Sequence, residues 1–167
     1  MNSNDCFLAL NQKANGVVDY AKWLTTQELP WLQHFGFDAL PIDSYWIENE
    51  PALAAVHAVA PIKQLGLLRV SAASMYDWHV DEYRLSCINL LISQDHQSLT
   101  LFGEQRDALN KDICKLEYQP HTYYLFNNQV QHCVINLDGP RYLMSLYFEE
   151  ELPYKELKTL FIKNKIC

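Results

Sequence analysis

The spacing of apolar residues predicts helices in the first part of the chain. From residues 15 to 36 apolar side chains recur three or four positions apart, as on one face of a helix. Pro30 should end or restart that helix, because proline lacks a backbone N–H donor. A second helical segment opens at Pro51, a residue suited to the first turn, and Pro61 should close or kink it. These features predict a helical leader over residues 1–65.

The pattern changes after the leader, where short runs of β-branched and aromatic residues alternate with turn residues. Turns are predicted at Gln94-Asp95-His96, Asn127-Asn128 and Asp138-Gly139-Pro140. Strands at intervals of about ten residues are typical of an all-β barrel or sandwich, here over residues 66–149. The predicted strands span residues 66–73, 84–92, 98–103, 113–118, 121–126, 130–137 and 140–148.

The end of the chain, residues 150–167, predicts a short C-terminal helix with Leu157, Leu160 and Phe161 on one face. No internal repeat, low-complexity tract or flexible linker divides the sequence, so we expect residues 1–167 to form a single domain. The expected fold class is mainly β (α+β): a β-barrel with N-terminal supporting helices and a short C-terminal helix.

Composition narrows the classes of partner. Apolar residues make up 49% of the chain, which is typical of a globular protein. The net charge of -7 argues against nucleic acid as a partner, although the tail "KELKTLFIKNK" is basic. No apolar run is long enough to span a membrane, and the first residues do not resemble a secretion signal. Five cysteines without a C-x-x-C pair indicate reduced thiols, so we expect a cytoplasmic protein.

A candidate metal site begins at His79 and Asp81, which are separated by one valine. In an extended chain these two side chains point to the same face and could bind one ion. Imidazole and carboxylate are ligands that iron and zinc accept. The motif is short enough to arise by chance, so His79 could instead cap a turn while Asp81 accepts backbone hydrogen bonds.

His132 is the candidate third ligand. It lies in a late predicted strand that follows the Asn-Asn turn, and antiparallel barrels can bring such a strand beside an early one. His132 could therefore meet His79 and Asp81 in space.

A candidate anion site follows at Arg141 and Ser145, which share one face of an apolar strand. A charged residue entering such a strand is costly unless it is paired. A guanidinium with a hydroxyl beside it suits the carboxylate of a ligand. The alternative is an ion pair from Arg141 to Glu149 or Glu150.

The order of these residues, H-x-D, a distal histidine and an arginine nine positions later, resembles the iron(II)/2-oxoglutarate-dependent oxygenases. "HVDEYRLSCINLLIS" is similar to that superfamily's first ligand loop and the strand after it. "QPHTYYLFNNQVQHCVIN" resembles its strand, turn and distal histidine. "RYLMSLYF" resembles the closing strand of the prolyl-hydroxylase-like branch. The resemblance covers about residues 66–149.

This resemblance implies a double-stranded β-helix, a jelly-roll barrel entered by helices. It also implies that His79, Asp81 and His132 hold Fe(II), and that Arg141, helped by Ser145, binds the far carboxylate of 2-oxoglutarate. The cosubstrate and dioxygen would take the remaining positions on the metal. The implied activity is a hydroxylase that couples decarboxylation of 2-oxoglutarate to succinate with oxidation of an unidentified substrate.

Several points stay open at this stage. The turn that often precedes the third strand in this superfamily is absent from "DHQSLTLFGEQ". Arg84 could bind substrate, but we expect it to pair with Glu82. Further partners for 2-oxoglutarate are to be sought among Tyr76, Ser86, Asn89, Tyr124 and Phe126.

Two other functions compete with the oxygenase. One is a cupin-like barrel that binds a metal or small ligand without oxygenase turnover, and the other is a purely structural domain. The short chain between Asp81 and His132 leaves no room for a large lid. We therefore expect an open site for a small molecule, a protein or a peptide, or a ligand enclosed by a second subunit of a homo-oligomer.

Overall fold

The secondary structure comes from a computed structural model that describes residues 1–34, 36–93 and 97–167. A short 3-10 helix at Ser3–Asp5 precedes the first strand. The α-helices are α1 (Gly16–Thr25), α2 (Tyr45–Asn49), α3 (Pro51–His57) and α4 (Tyr154–Lys163). The strands are β1 (Phe7–Lys13), β2 (Leu32–His34), β3 (Phe37–Ile42), β4 (Ile62–Val70), β5 (Ser74–His79), β6 (Ser86–Leu91), β7 (Ser98–Gln105), β8 (Lys111–Leu116), β9 (Thr122–Asn127), β10 (Gln131–Asn136) and β11 (Arg141–Phe148).

The described strands form two antiparallel sheets. The large sheet has seven strands in the order β1-β9-β6-β11-β4-β3-β2, and the small sheet has four in the order β5-β10-β7-β8. Neighbours in each sheet are mostly distant in sequence, so long-range pairing holds the fold together. Among the described residues, no helix combines the length and hydrophobicity that crossing a membrane requires.

The protein has two apolar cores, and each lies between two layers of secondary structure. The main core lies between the helices and the outer face of the large sheet, where Leu67 and Met144 meet Leu157 and Phe161 of α4. A smaller core lies between the two sheets and includes Phe102, Leu116, Tyr124 and Phe126. Because side chains alternate along a strand, β6 and β9 of the large sheet contribute to both cores.

The first 65 residues correct the prediction of a helical leader, because they contain β1, β2 and β3 besides α1, α2 and α3. The helix predicted over residues 15–36 ends at Thr25, and the chain continues as β2 from Leu32. The predicted helix start at Pro51 is confirmed. The three strands were missed because β1 pairs with β9, β3 with β4 and β2 with β3, and local spacing does not reveal this pairing.

The strands predicted after residue 65 are confirmed, with boundaries that differ by a few residues. One strand, β5, was not predicted, because its sequence "SMYDWH" mixes polar and aromatic residues. The predicted turns at Asn127-Asn128 and Asp138-Gly139-Pro140 follow β9 and β10. The turn predicted at residues 94–96 lies outside the described residues. The predicted C-terminal helix is α4, which buries Leu157 and Phe161, while Leu160 is partly buried against the same core.

Candidate functional site

The candidate metal ligands meet at the end of the small sheet. Strands β5 and β10 pair antiparallel, and His79 lies directly opposite His132 in their register. Asp81 follows β5, and its backbone N–H donates to the Asn128 carbonyl at 3.1 Å, which fixes the loop against the turn before β10. Pairing of an early and a late strand therefore brings the three side chains together, as the sequence predicted.

The three side chains have a spacing that suits one metal ion. The Oδ1 atom of Asp81 lies 3.5 Å from His79 Nε2 and 3.6 Å from His132 Nε2. Ligand atoms bonded to one ion at right angles are about 3 Å apart, given metal–ligand bonds of about 2.1 Å. This is the one His/Cys/Asp/Glu cluster of metal-binding size within residues 1–34, 36–93 and 97–167.

Hydrogen bonds leave the right atoms free for a metal. His79 Nδ1 lies 2.6 Å from the Asp77 carbonyl oxygen, and His132 Nδ1 lies 2.9 Å from the Val130 carbonyl oxygen. A carbonyl can only accept, so each Nδ1 carries a proton, and in the neutral ring each Nε2 presents a lone pair to the site. Such partners are typical of metal-binding histidines.

The charges around the triad favour a cation. Burial raises the cost of ionising Asp81, but the hydrogen bond from His79 and the charge of Arg84 lower its pKa to about 2. Burial, reinforced by neighbouring His79, lowers the pKa of His132. Burial also opposes protonation of His79, yet its hydrogen bond to Asp81 raises the pKa of His79 above the usual value. The site thus combines an ionised carboxylate, a neutral imidazole and a second imidazole that attracts a proton.

Arg84 contacts Asp81, which corrects the expected pairing with Glu82. Arg84 Nε and Nη2 lie 2.9 and 2.8 Å from Asp81 Oδ2. The Asn128 side-chain amide donates to the same oxygen at 2.7 Å. Asp81 therefore uses Oδ2 for protein contacts and directs Oδ1 to the histidines.

Arg141 is buried between the sheets in the same cavity, with only 2% of its surface exposed. Its Nη2 donates to Thr100 Oγ1 at 3.1 Å, while its Nε has no partner. Neither Glu149 nor Glu150 pairs with it, and both are exposed. Burial lowers the pKa of Arg141. A guanidinium without an acidic partner in a closed space is a strong binding site for an anion.

Ser145 lines the same cavity as Arg141, but its hydroxyl accepts from Arg84 Nη1 at 3.2 Å. The described contacts include no Arg141–Ser145 hydrogen bond. Thr100 takes that place, and sequence reasoning missed it because Thr100 belongs to the opposite sheet.

The other candidate partners of the cosubstrate divide into two groups. Asn89, Tyr76 and Phe126 line the cavity, and the buried Oδ1 of Asn89 has no partner. The Ser86 hydroxyl donates instead to the Leu152 carbonyl. The Tyr124 hydroxyl accepts a hydrogen bond from the Gln119 backbone N–H.

Tyr118 is a cavity residue that the sequence did not single out. Its ring lies 5.7 Å from the Arg141 guanidinium carbon, and its buried hydroxyl has no hydrogen-bond partner. Burial raises the pKa of Tyr118 to about 12, so the hydroxyl stays protonated and can donate. The cavity has a volume of about 80 Å³ and contains both Arg141 and the triad. Around Arg141, the Arg141 Nε and the Tyr118 hydroxyl are hydrogen-bond donors without partners.

A groove of about 690 Å³ opens beside the cavity. Apolar side chains of β3, β4 and β11 form much of its surface. The groove and the cavity share Phe37, Leu68, Arg84 and Ser145 as common walls. A molecule in the groove would therefore lie next to the triad.

The sequence matches no protein-family model and no curated protein. Solved structures, however, share the fold. HygX from Streptomyces hygroscopicus, solved with nickel and 2-oxoglutarate, has a TM-score of 0.61 at 10% identity over 86% of this chain and 82% of its own. A Trichoplax adhaerens prolyl hydroxylase, solved with a hypoxia-inducible-factor peptide fragment, has a TM-score of 0.60 at 12% identity over 95% and 88%.

A prolyl-4-hydroxylase from Pseudomonas putida is also similar, with a TM-score of 0.56 at 11% identity over 86% of this chain and 91% of its own. These likenesses confirm the predicted mainly β fold, with two facing antiparallel sheets and few helices. The chain has the double-stranded β-helix fold of solved 2-oxoglutarate/Fe(II) oxygenases.

Proposed function

We propose that this protein is an Fe(II)- and 2-oxoglutarate-dependent oxygenase that hydroxylates a substrate next to the triad. The main support for the proposal is that one cavity contains both a candidate metal site and a candidate anion site. A His-Asp-His cluster directs three free ligand atoms to one point, and a buried arginine without an acidic partner lies in the same space. The arginine argues against a cupin-like barrel that binds only a metal, whereas a cupin-like barrel that binds a small anionic ligand without turnover is separated from the oxygenase by the test below.

In this proposal His79, Asp81 and His132 would hold Fe(II), and the cosubstrate and dioxygen would complete its coordination. The carbonyl contacts of the two Nδ1 atoms fix the rings, so that both Nε2 atoms face the ion. When bound, the iron supplies the redox chemistry that couples dioxygen reduction and 2-oxoglutarate decarboxylation to substrate oxidation.

Arg141 would bind the far carboxylate of 2-oxoglutarate, with Thr100 and the Tyr118 hydroxyl as the nearest supporting groups. Ser145 was expected to assist from the same strand, and it contributes to the same cavity wall. Apolar side chains such as Phe126, Val134 and Leu143 line the space and limit the entry of water.

The substrate would approach through the groove that shares walls with the cavity. Its volume of about 690 Å³ is within the range of small-molecule sites, and its open form also admits a side chain on a peptide. The HygX structure contains hygromycin B and the Trichoplax structure a peptide fragment, so both kinds of molecule bind to proteins with this fold.

The test is anaerobic titration of the protein with Fe(II) and 2-oxoglutarate, followed by exposure to air and measurement of succinate. We expect a visible charge-transfer band that requires both additions. His132→Ala should lose the band, and Arg141→Gln should require far more 2-oxoglutarate. Arg69→Gln is the matched control, because Arg69 pairs with Asp38 outside the cavity. Metal binding without a 2-oxoglutarate-dependent band and without succinate would reject the oxygenase in favour of the cupin-like alternative.

A further inference from the structure

Arg84 makes an unusually complete set of contacts beside the candidate metal ligands. Its Nε donates to Asp81 Oδ2 at 2.9 Å, and its Nη2 forms an ion pair with the same oxygen at 2.8 Å. Its Nη1 donates to the Ser145 hydroxyl at 3.2 Å. The guanidinium is therefore anchored at both ends, to the loop after β5 and to the middle of β11.

These contacts give the two carboxylate oxygens of Asp81 different partners. Oδ2 accepts from Arg84 and from the Asn128 amide, while Oδ1 faces His79 and His132 at 3.5 and 3.6 Å. A carboxylate that is free to turn can bind a metal through both oxygens. The second oxygen would then occupy a coordination position that the cosubstrate or dioxygen needs.

We propose that Arg84 is a positioning residue that holds Asp81 as a one-oxygen metal ligand and so keeps the open positions available. This inference rests on the proposed function insofar as it requires a metal ion at the triad. Arg84 does not touch the ion. It acts through Asp81, and Ser145 fixes the far side of its guanidinium.

The chain offers a matched control for this geometry. Arg69 donates to Asp38 Oδ2 through Nε and Nη2 at 3.0 and 2.7 Å, so both pairs place Nε and Nη2 within 3.0 Å of one carboxylate oxygen. Both arginine side chains are partly exposed, at 34% for Arg69 and 29% for Arg84. Asp38 belongs to no metal cluster of the described residues. Substitutions of Arg69 therefore reproduce the loss of an arginine–aspartate pair without touching the triad.

The test is titration of the purified full chain with Co(II) in the absence of 2-oxoglutarate, followed by visible ligand-field absorption. Loss of a partner that orients a metal ligand costs about 10–100-fold in affinity, and we expect Arg84→Gln to weaken Co(II) binding by that factor. Its absorption spectrum should also change, because Asp81 can then bind through both oxygens. Arg69→Gln should keep the wild-type affinity and spectrum.

Arg84→Lys separates charge from geometry, since lysine keeps the positive charge but lacks the two-donor fork. We expect it to recover part of the affinity without restoring the wild-type spectrum. The inference is overturned if Arg84→Gln matches wild type, if Arg69→Gln is weakened as much, or if Arg84→Lys restores both affinity and spectrum.

Ser145→Ala keeps the test decisive if circular dichroism shows that Arg84→Gln does not fold. Removing this single anchor should weaken Co(II) binding a few-fold, as the loss of one hydrogen bond predicts, and an unchanged affinity would overturn the inference. Normal Co(II) effects with no 2-oxoglutarate-dependent band would reject only the proposed oxygenase. A wild-type chain that binds no Co(II) would reject both.

Discussion

Two arginines on adjacent strands, Arg69 on β4 and Arg141 on β11, differ in how the protein satisfies them. Arg69 lies partly exposed, pairs with Asp38 at 2.7 Å and stacks its guanidinium carbon 4.5 Å from the Trp31 ring centre. Arg141 is almost fully buried, has one neutral hydrogen bond to Thr100 and leaves Nε without a partner.

Under the proposed function, the difference separates an arginine that serves the fold from one that serves a ligand. A buried charge without a counter-charge destabilises the folded chain, whereas a partly exposed ion pair contributes little in either direction. Among the described residues, Arg141 has no counter-charge of its own. An anion that enters the cavity would supply the missing partner, and 2-oxoglutarate carries the carboxylate that the proposed function requires.

The largest effect on the Kd of 2-oxoglutarate is expected for the Arg141→Met substitution. Removing one member of a buried charge pair costs about 2–5 kcal/mol, so the Kd of 2-oxoglutarate should rise by about 30-fold to several thousand-fold. Without ligand, the free energy of unfolding should stay the same or rise by about 1–4 kcal/mol, because the buried charge is gone. Calorimetric titration of the Co(II)-loaded protein and urea unfolding measure the two effects. An unchanged Kd would remove the distinction between the two arginines.

The second effect is stabilisation by the cosubstrate itself. At a concentration of about 100 times Kd, 2-oxoglutarate should stabilise the metal-loaded protein by about 2.7 kcal/mol. For a domain of this size that raises Tm by about 5–11 °C in thermal unfolding. The Arg69→Met variant should show the full shift and the Arg141→Met variant no more than about a third of it at the same concentration. Equal shifts in both variants would place the anion elsewhere.

A smaller effect is expected for Tyr118→Phe, which removes a hydroxyl beside Arg141. One lost hydrogen bond of about 1 kcal/mol should raise the Kd of 2-oxoglutarate by about fivefold. The ligand-free protein should not lose stability, because that hydroxyl has no partner before the ligand binds. Titration and unfolding of this variant test whether the neighbourhood of Arg141 is built for a ligand. A loss of stability with unchanged affinity would assign Tyr118 to the fold.

The smallest effect is expected for Arg69→Met. Partly exposed ion pairs contribute about 0–1 kcal/mol, so the free energy of unfolding should fall by no more than that. The affinity for 2-oxoglutarate should equal that of wild type in calorimetric titration. A large loss of affinity would show that Arg69 and Arg141 are coupled through their neighbouring strands.

The sequence predicted the parts of the site that follow from chain order. His79, Asp81 and His132 come together because an early strand pairs with a late one, and their residue types already suited a metal. Thr100 and Tyr118 were missed because they reach Arg141 from β7 and from the segment after β8, across the space between the sheets. Nothing in their local sequence marks them, since their role depends on how the two sheets face each other.

The same limit applies to the fold. Central strands such as β9 and β11 are apolar enough to be recognised locally, whereas β1, β3 and β5 are defined by their partners. Arg84 shows the limit for side chains, because a neighbouring glutamate in sequence was the simplest expected partner. The loop after β5 instead turns Asp81 toward Arg84, and the contact depends on that turn.

The pairing of His79 with His132 across β5 and β10 also affects local unfolding of the small sheet. The helices cover the large sheet, while the small sheet exposes apolar side chains such as Met75 and Ile113. An ion bound to both histidines and Asp81 would act as a cross-link that closes a long stretch of chain. Because a register slip of one residue would turn one histidine away, the cross-link would form only on correctly paired strands. The ion would then stabilise the less covered sheet against local unfolding. Amide hydrogen exchange in β5 and β10 should therefore slow when the ion binds.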